Sequence, residues 1–140
     1  MTQIDFFTNV AQPLRLAAKI VVKAWHSHGR VRVLTPDAET TNALDRLLWT
    51  NDPLSFVPHC RMDSKVALDT PIWIDERVEH NGPAAVLVNL HPEPPPFFSR
   101  FERLADVVGR DAEVADAGRR RWKFYRDHGY AMQHHKLDER

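Results

Sequence analysis

The residues best equipped for chemistry crowd into one segment, RRRWKFYRDHGY, residues 119–130. If it is helical, Arg119, Trp122, Lys123 and Arg126 share a face, because side chains three and four positions apart are neighbours on a helix. Guanidinium groups grip carboxylates bidentately while an aromatic flank receives an apolar side chain. The same segment could instead be a direct single-stranded nucleic-acid module, with Arg119, Arg120, Arg121, Lys123 and Arg126 on phosphates and Trp122 and Tyr125 as stacking platforms. Its plainest reading is a solvated helix face with Trp122 and Phe124 partly in the core.

Other chemistries lack their signatures. Eight histidines are present, but His26 and His28 are two apart, His134 and His135 are adjacent, and His59, His80 and His91 stand singly. With no HExxH and no CxxC pair, no metal is expected. Ser27, Ser55, Ser64 and Ser99 lack a GxSxG context, so a serine hydrolase has no support. Cys60 is the only cysteine and cannot form an internal disulfide. Five glycines in 140 residues make no phosphate loop: after the first apolar run the chain reads Asn9-Val10-Ala11-Gln12-Pro13. A nucleotide-processing enzyme fails on that ground, and no cofactor is expected.

Lys plus Arg and Asp plus Glu each total 19, giving zero formal net charge. A domain living on phosphate contacts normally carries a basic surplus, so any nucleic-acid contact is expected to be mainly indirect. No apolar run approaches the roughly 20 residues of a membrane span. The start MTQIDFFTNV lacks a secretory pattern, so a cytoplasmic location is expected.

The elements that must position these residues can be read in order. Residues 4–8 (IDFFT) suggest a strand, and Pro13 suits the first turn of a helix over residues 14–28, closed by Gly29. Residues 31–35 (VRVLT) suggest a second strand. Asp37 can cap a helix burying Ala43, Leu44, Leu47, Leu48 and Trp49. Asp52-Pro53 turns the chain, and a short run over residues 54–57 ends at Pro58. Residues 72–74 and 85–90 read as strands joined by a polar connection over residues 75–83. After the stiff stretch HPEPPP, apolar spacing predicts a helix over residues 97–108 with Phe97, Phe98, Phe101, Leu104, Ala105 and Val108 on one side. A last helix is expected over residues 111–128. The order predicts a single three-layer α/β domain over residues 1–133, Rossmann-like with a mainly parallel sheet but no phosphate-binding loop. A polar, loose tail is expected over residues 134–140.

Six segments in order, IDFFT, LDRLLW (44–49), SFVPH (55–59), VLVNL (86–90), FSRFERLADVV (98–108) and RRRWKFYRDHGY, resemble the chi subunit of bacterial DNA polymerase III. The resemblance spans nearly the whole chain. It implies a non-catalytic adaptor in DNA replication, joined to the clamp loader through the psi subunit and holding the acidic, apolar C-terminal tail of single-stranded DNA-binding protein. It further implies a tail site of Val108, Arg119, Trp122 and Lys123, to which spacing adds Arg126, and a psi-binding surface at Trp49 and Phe56, for which a helicase can compete. One departure is that a lysine of the family's tail site corresponds to Ala115, for which Arg110 or Arg120 could substitute.

Overall fold

The computed structural model describes residues 1–50, 56–82 and 85–137. Strand β1 (Gln3–Val10) leads through Pro13 into helix α1 (Pro13–His28). Gly29, at φ 90°, closes that helix by donating its N–H to Trp25 O at 2.9 Å. Strand β2 (Val31–Leu34) precedes α2 (Ala38–Thr50), where Asp37 Oδ1 accepts the Thr40 N–H at 2.7 Å and caps the first turn. Then come β3 (His59–Cys60), β4 (Ile72–Asp75), β5 (Val86–Asn89), β6 (Arg103–Gly109), α3 (Ala112–Asp127) and β7 (Met132–Lys136).

The seven strands form one sheet in the order β3-β4-β2-β5-β6-β1-β7, with every described pairing parallel. From β1 the chain moves towards β2 through α1; from β6 it moves the opposite way, past β1 to β7, through α3. Right-handed crossovers in opposite directions place α1 and α3 on opposite faces. The core divides accordingly. Ala17, Val21, Leu44 and Leu48 meet Val33, Ile74, Val88 and Val107 on the α1–α2 face. Phe6, Leu87, Leu104, Val108, Phe98 and Tyr125 pack on the α3 face. Neighbouring residues such as Leu87 and Val88 serve opposite layers, so the central strands carry apolar residues towards both faces. This is the expected three-layer α/β architecture.

On the α3 face, residues 76–82 are gathered over β2 by Arg32, whose side chain is fully buried. Its guanidinium donates to the carbonyls of Glu79 and Arg77 at 2.7 Å each and of Asp75 at 3.2 Å. Burial lowers its pKa to about 10, partly offset by the charges of Asp75, Glu76 and Glu79.

Three expectations need correction. Residues 97–108 do not form a helix: a 3-10 turn (Phe98–Arg100) is followed by β6. Apolar spacing at 97, 98, 101, 104, 105 and 108 imitates a helical stripe, but Leu104 and Val108 face one layer and Ala105 and Val107 the other. A strand covered on both faces satisfies any apolar period, which is how the helical reading arises. The loose tail expected from His134 instead begins as β7, hydrogen-bonded along β1 from Ile4↔Met132 to Thr8↔Lys136. MQHHK is polar because this edge strand is largely exposed. Trp49, expected on the buried face of α2, is 53% exposed. The turn at Asp52-Pro53 and the beginning of the following run lie outside the described residues.

Candidate functional site

The orientation of α3 is set by a buried polar cluster. Asp106, in the middle of β6, is fully buried and accepts three N–H contacts at 2.8–3.2 Å from Arg121 Nε and Nη2. It also accepts from Tyr125 Oη at 3.1 Å and Asn89 Nδ2 at 3.3 Å, while Arg121 Nη1 donates to Pro92 O at 2.9 Å. A buried carboxylate persists only when so satisfied. Burial penalises the Arg121 charge, but the Asp106 charge and hydrogen bonds outweigh it and raise its pKa. Burial first, and then Asp106, push the Tyr125 hydroxyl pKa well up. Arg121 is 3% exposed and Tyr125 fully buried. Neither can touch a nucleic-acid strand, which removes two of the seven residues that a direct single-strand module would use.

With Arg121 and Tyr125 turned in, the adjoining stripe of α3 faces a cavity of about 530 Å³. Phe6, Val108, Gly118 and Trp122 provide apolar lining; Arg110, Arg119 and Lys136 provide positive charge, and no Asp or Glu among the described residues lines it. Val108 is buried in β6, and Gly118 lets α3 sit on it: a Cβ there would lie 2.7 Å from Val108 Cγ1. Trp122 packs edge-on to Phe6 with centroids 5.3 Å apart and tilts against His134 at 5.5 Å. Arg119 is exposed and ion-paired with Asp116 one turn earlier.

Val108, Arg119 and Trp122 therefore line one cavity. Lys123 and Arg126 are exposed but lie outside its lining. They continue the helical stripe, yet the cavity uses positions 115, 118, 119 and 122, starting one turn earlier than the arginine-rich motif suggests. Ala115 presents a methyl group; Arg110 is in the lining and Arg120 is not. Thr8, Asn9, His134 and Lys136 are not singled out by the sequence, because they come together only where β7 pairs with β1. The sequence signal for β7 is weak, because MQHHK is a largely exposed polar edge strand with no apolar alternation.

A second surface lies at the far side of the sheet. Trp49 ends α2 and Phe56 precedes β3; they are 53% and 69% exposed, with ring centroids 5.8 Å apart. The neighbouring Val57 is buried, and its carbonyl lies 2.6 Å from His59 Nδ1. His59 also backs Trp49 at 4.9 Å between centroids. His59 Nε2 lies 2.9 Å from Asp45 Oδ1 but is not aligned as a hydrogen bond, so the contact is one of proximity. Aromatic anchors held outside the core at this size are the usual material of protein interfaces.

The description "DNA polymerase III chi subunit, HolC" belongs to the family model that matches residues 1–133. The chain is 28% identical to the DNA polymerase III subunit chi of Pseudomonas aeruginosa over 98% of both chains. It is 28% identical to that of Haemophilus influenzae over 84% of this chain and 82% of the relative. To the Escherichia coli subunit it is 26% identical, over 94% and 88% respectively.

Proposed function

Because the chain belongs to the DNA polymerase III chi subunit family, we propose that it acts as a bridge, holding the clamp loader through psi and the C-terminal tail of single-stranded DNA-binding protein. It is an accessory subunit in DNA replication, not a catalytic one. The tail enters the cavity between α3 and β7. The observation that carries this reading is the lining itself, which among the described residues has three cations, no carboxylate and an aromatic floor. An acidic peptide ending in an apolar residue matches it in both charge and shape. The Trp49–Phe56 pair is the psi contact, and a helicase competing with psi would use the same two rings. Two modest contacts on one body raise the effective concentration of each partner near the other.

Calorimetric titration with roughly the last ten residues of the same organism's single-stranded DNA-binding protein, beside a peptide lacking the terminal residue, tests the tail site. Saturable one-to-one binding that truncation abolishes supports it, with affinity falling as salt rises. Arg119→Ala should weaken binding by about 0.5–2 kcal/mol, a discounted range because Arg119 is exposed and already paired with Asp116. Absence of binding to the full tail peptide overturns the assignment.

A further inference from the structure

The wall opposite α3 belongs to β7, and Lys136 is its cation in the cavity. The three cations are not equivalent. Arg119 is engaged by Asp116, and Arg110 Nε donates to Asn9 O at 3.3 Å. Lys136 has no ion-pair partner among the described residues, so pairing it with a ligand breaks no ion pair among them.

Its root is also well held. Lys136 stands beside Thr8 in the parallel β1–β7 pair, and Leu137 N donates to Thr8 O at 3.0 Å. Asn9 adopts φ 58°, a left-handed conformation that asparagine tolerates, and its Nδ2 donates to Leu137 O at 2.7 Å. On the other side of Lys136, His134 Nε2 lies 2.7 Å from Thr8 Oγ1. The strand end is therefore fixed before and after Lys136, while no ion pair among the described residues commits the ammonium. Ala115, on the facing helix, takes up little of the space between them.

Resting on the peptide reading of this cavity, we propose that Lys136 pairs with the C-terminal carboxylate of the bound tail, making β7 the second jaw of the site. The apolar terminal side chain then lies against Trp122 and Val108, and acidic residues upstream of the terminus meet Arg119 and Arg110. A terminal carboxylate on a flexible, solvated ammonium forms a point-charge contact, and its loss should be read as a modest change in affinity.

The test titrates the full chain and its Lys136→Met variant with the tail peptide as free acid and as C-terminal amide. Amidation should weaken wild-type binding about five- to tenfold. Lys136→Met should bind the free acid weaker by a similar factor and discriminate the two peptides by about twofold or less, since the partner of the carboxylate is gone. Lys136→Arg should restore discrimination, and Lys23→Met, on the opposite face, should leave it intact. If amidation costs Lys136→Met as much as wild type, the pairing is overturned. If wild type binds the free-acid peptide but ignores amidation, the peptide reading stands and this inference falls. Binding of neither peptide overturns both.

Discussion

Asp106 and Arg121 illustrate how position sorts residues of one type. Three arginines run together at 119, 120 and 121, and nothing in their identity distinguishes them. The sorting signal was the lone aspartate inside LADVV, which in a buried strand demands a cationic or multiply donating partner. Arg121 answers it and becomes structural; Arg119 is left to the cavity. Glu76 is a second engaged carboxylate. Arg61 donates to it, and Thr41 Oγ1 donates to its other oxygen at 2.8 Å, tying α2 to the segment after β3. These contacts, the Arg61 hydrogen bond foremost, hold its pKa at about 2 against an ordinary 4.5. Because the folded value is the lower one, this stabilisation is fully present above the unfolded pKa and is lost as pH falls through the window down to about 2. Urea midpoints measured between about pH 6 and pH 2.5 should fall on acidification, and Glu76→Gln should flatten that fall. An unchanged pH profile in the variant would remove Glu76 from the account.

Elements, rather than residues, decide where the cavity lies. Its floor depends on α3 approaching β6 through Gly118, whose missing Cβ leaves room for Val108. Gly118→Ala gains helix propensity of up to about 1 kcal/mol, but overpacking a buried contact costs about 1–3 kcal/mol. A net loss of roughly 1 kcal/mol is expected in chemical denaturation, together with weaker tail binding, because Val108 or α3 must shift. A variant more stable than wild type, with unchanged binding, would show that the contact yields freely. The helices α1, α2 and α3 and the strands β1, β2, β4 and β5 were legible because their periods, caps and β-branched content agree. β6 was misread because burial on both faces erases the period-two signal, and β7 because an exposed edge strand needs no apolar residues. The lining of the cavity was correspondingly half legible. Val108, Arg119 and Trp122 could be placed through the resemblance and the helical stripe, whereas Lys136 depends on a strand pairing that only the assembled sheet reveals.

At the scale of the whole molecule, the two surfaces occupy opposite margins of the sheet. Trp49 and Phe56 lie by β3 and β4; the cavity lies by β1 and β7, at the other end of the strand order. At about 4.8 Å per strand, four to six strand spacings separate them by roughly 20–30 Å. Partners on the two surfaces therefore need not compete, which is the property a bridge requires. The most direct measurement is the affinity of the chain for psi with and without a saturating concentration of the tail peptide. The account predicts a ternary complex with the two psi affinities agreeing within about twofold, since the two surfaces share no residue and lie at opposite margins of the sheet. Displacement of psi by the peptide would contradict it, because one surface would then be serving both partners in turn.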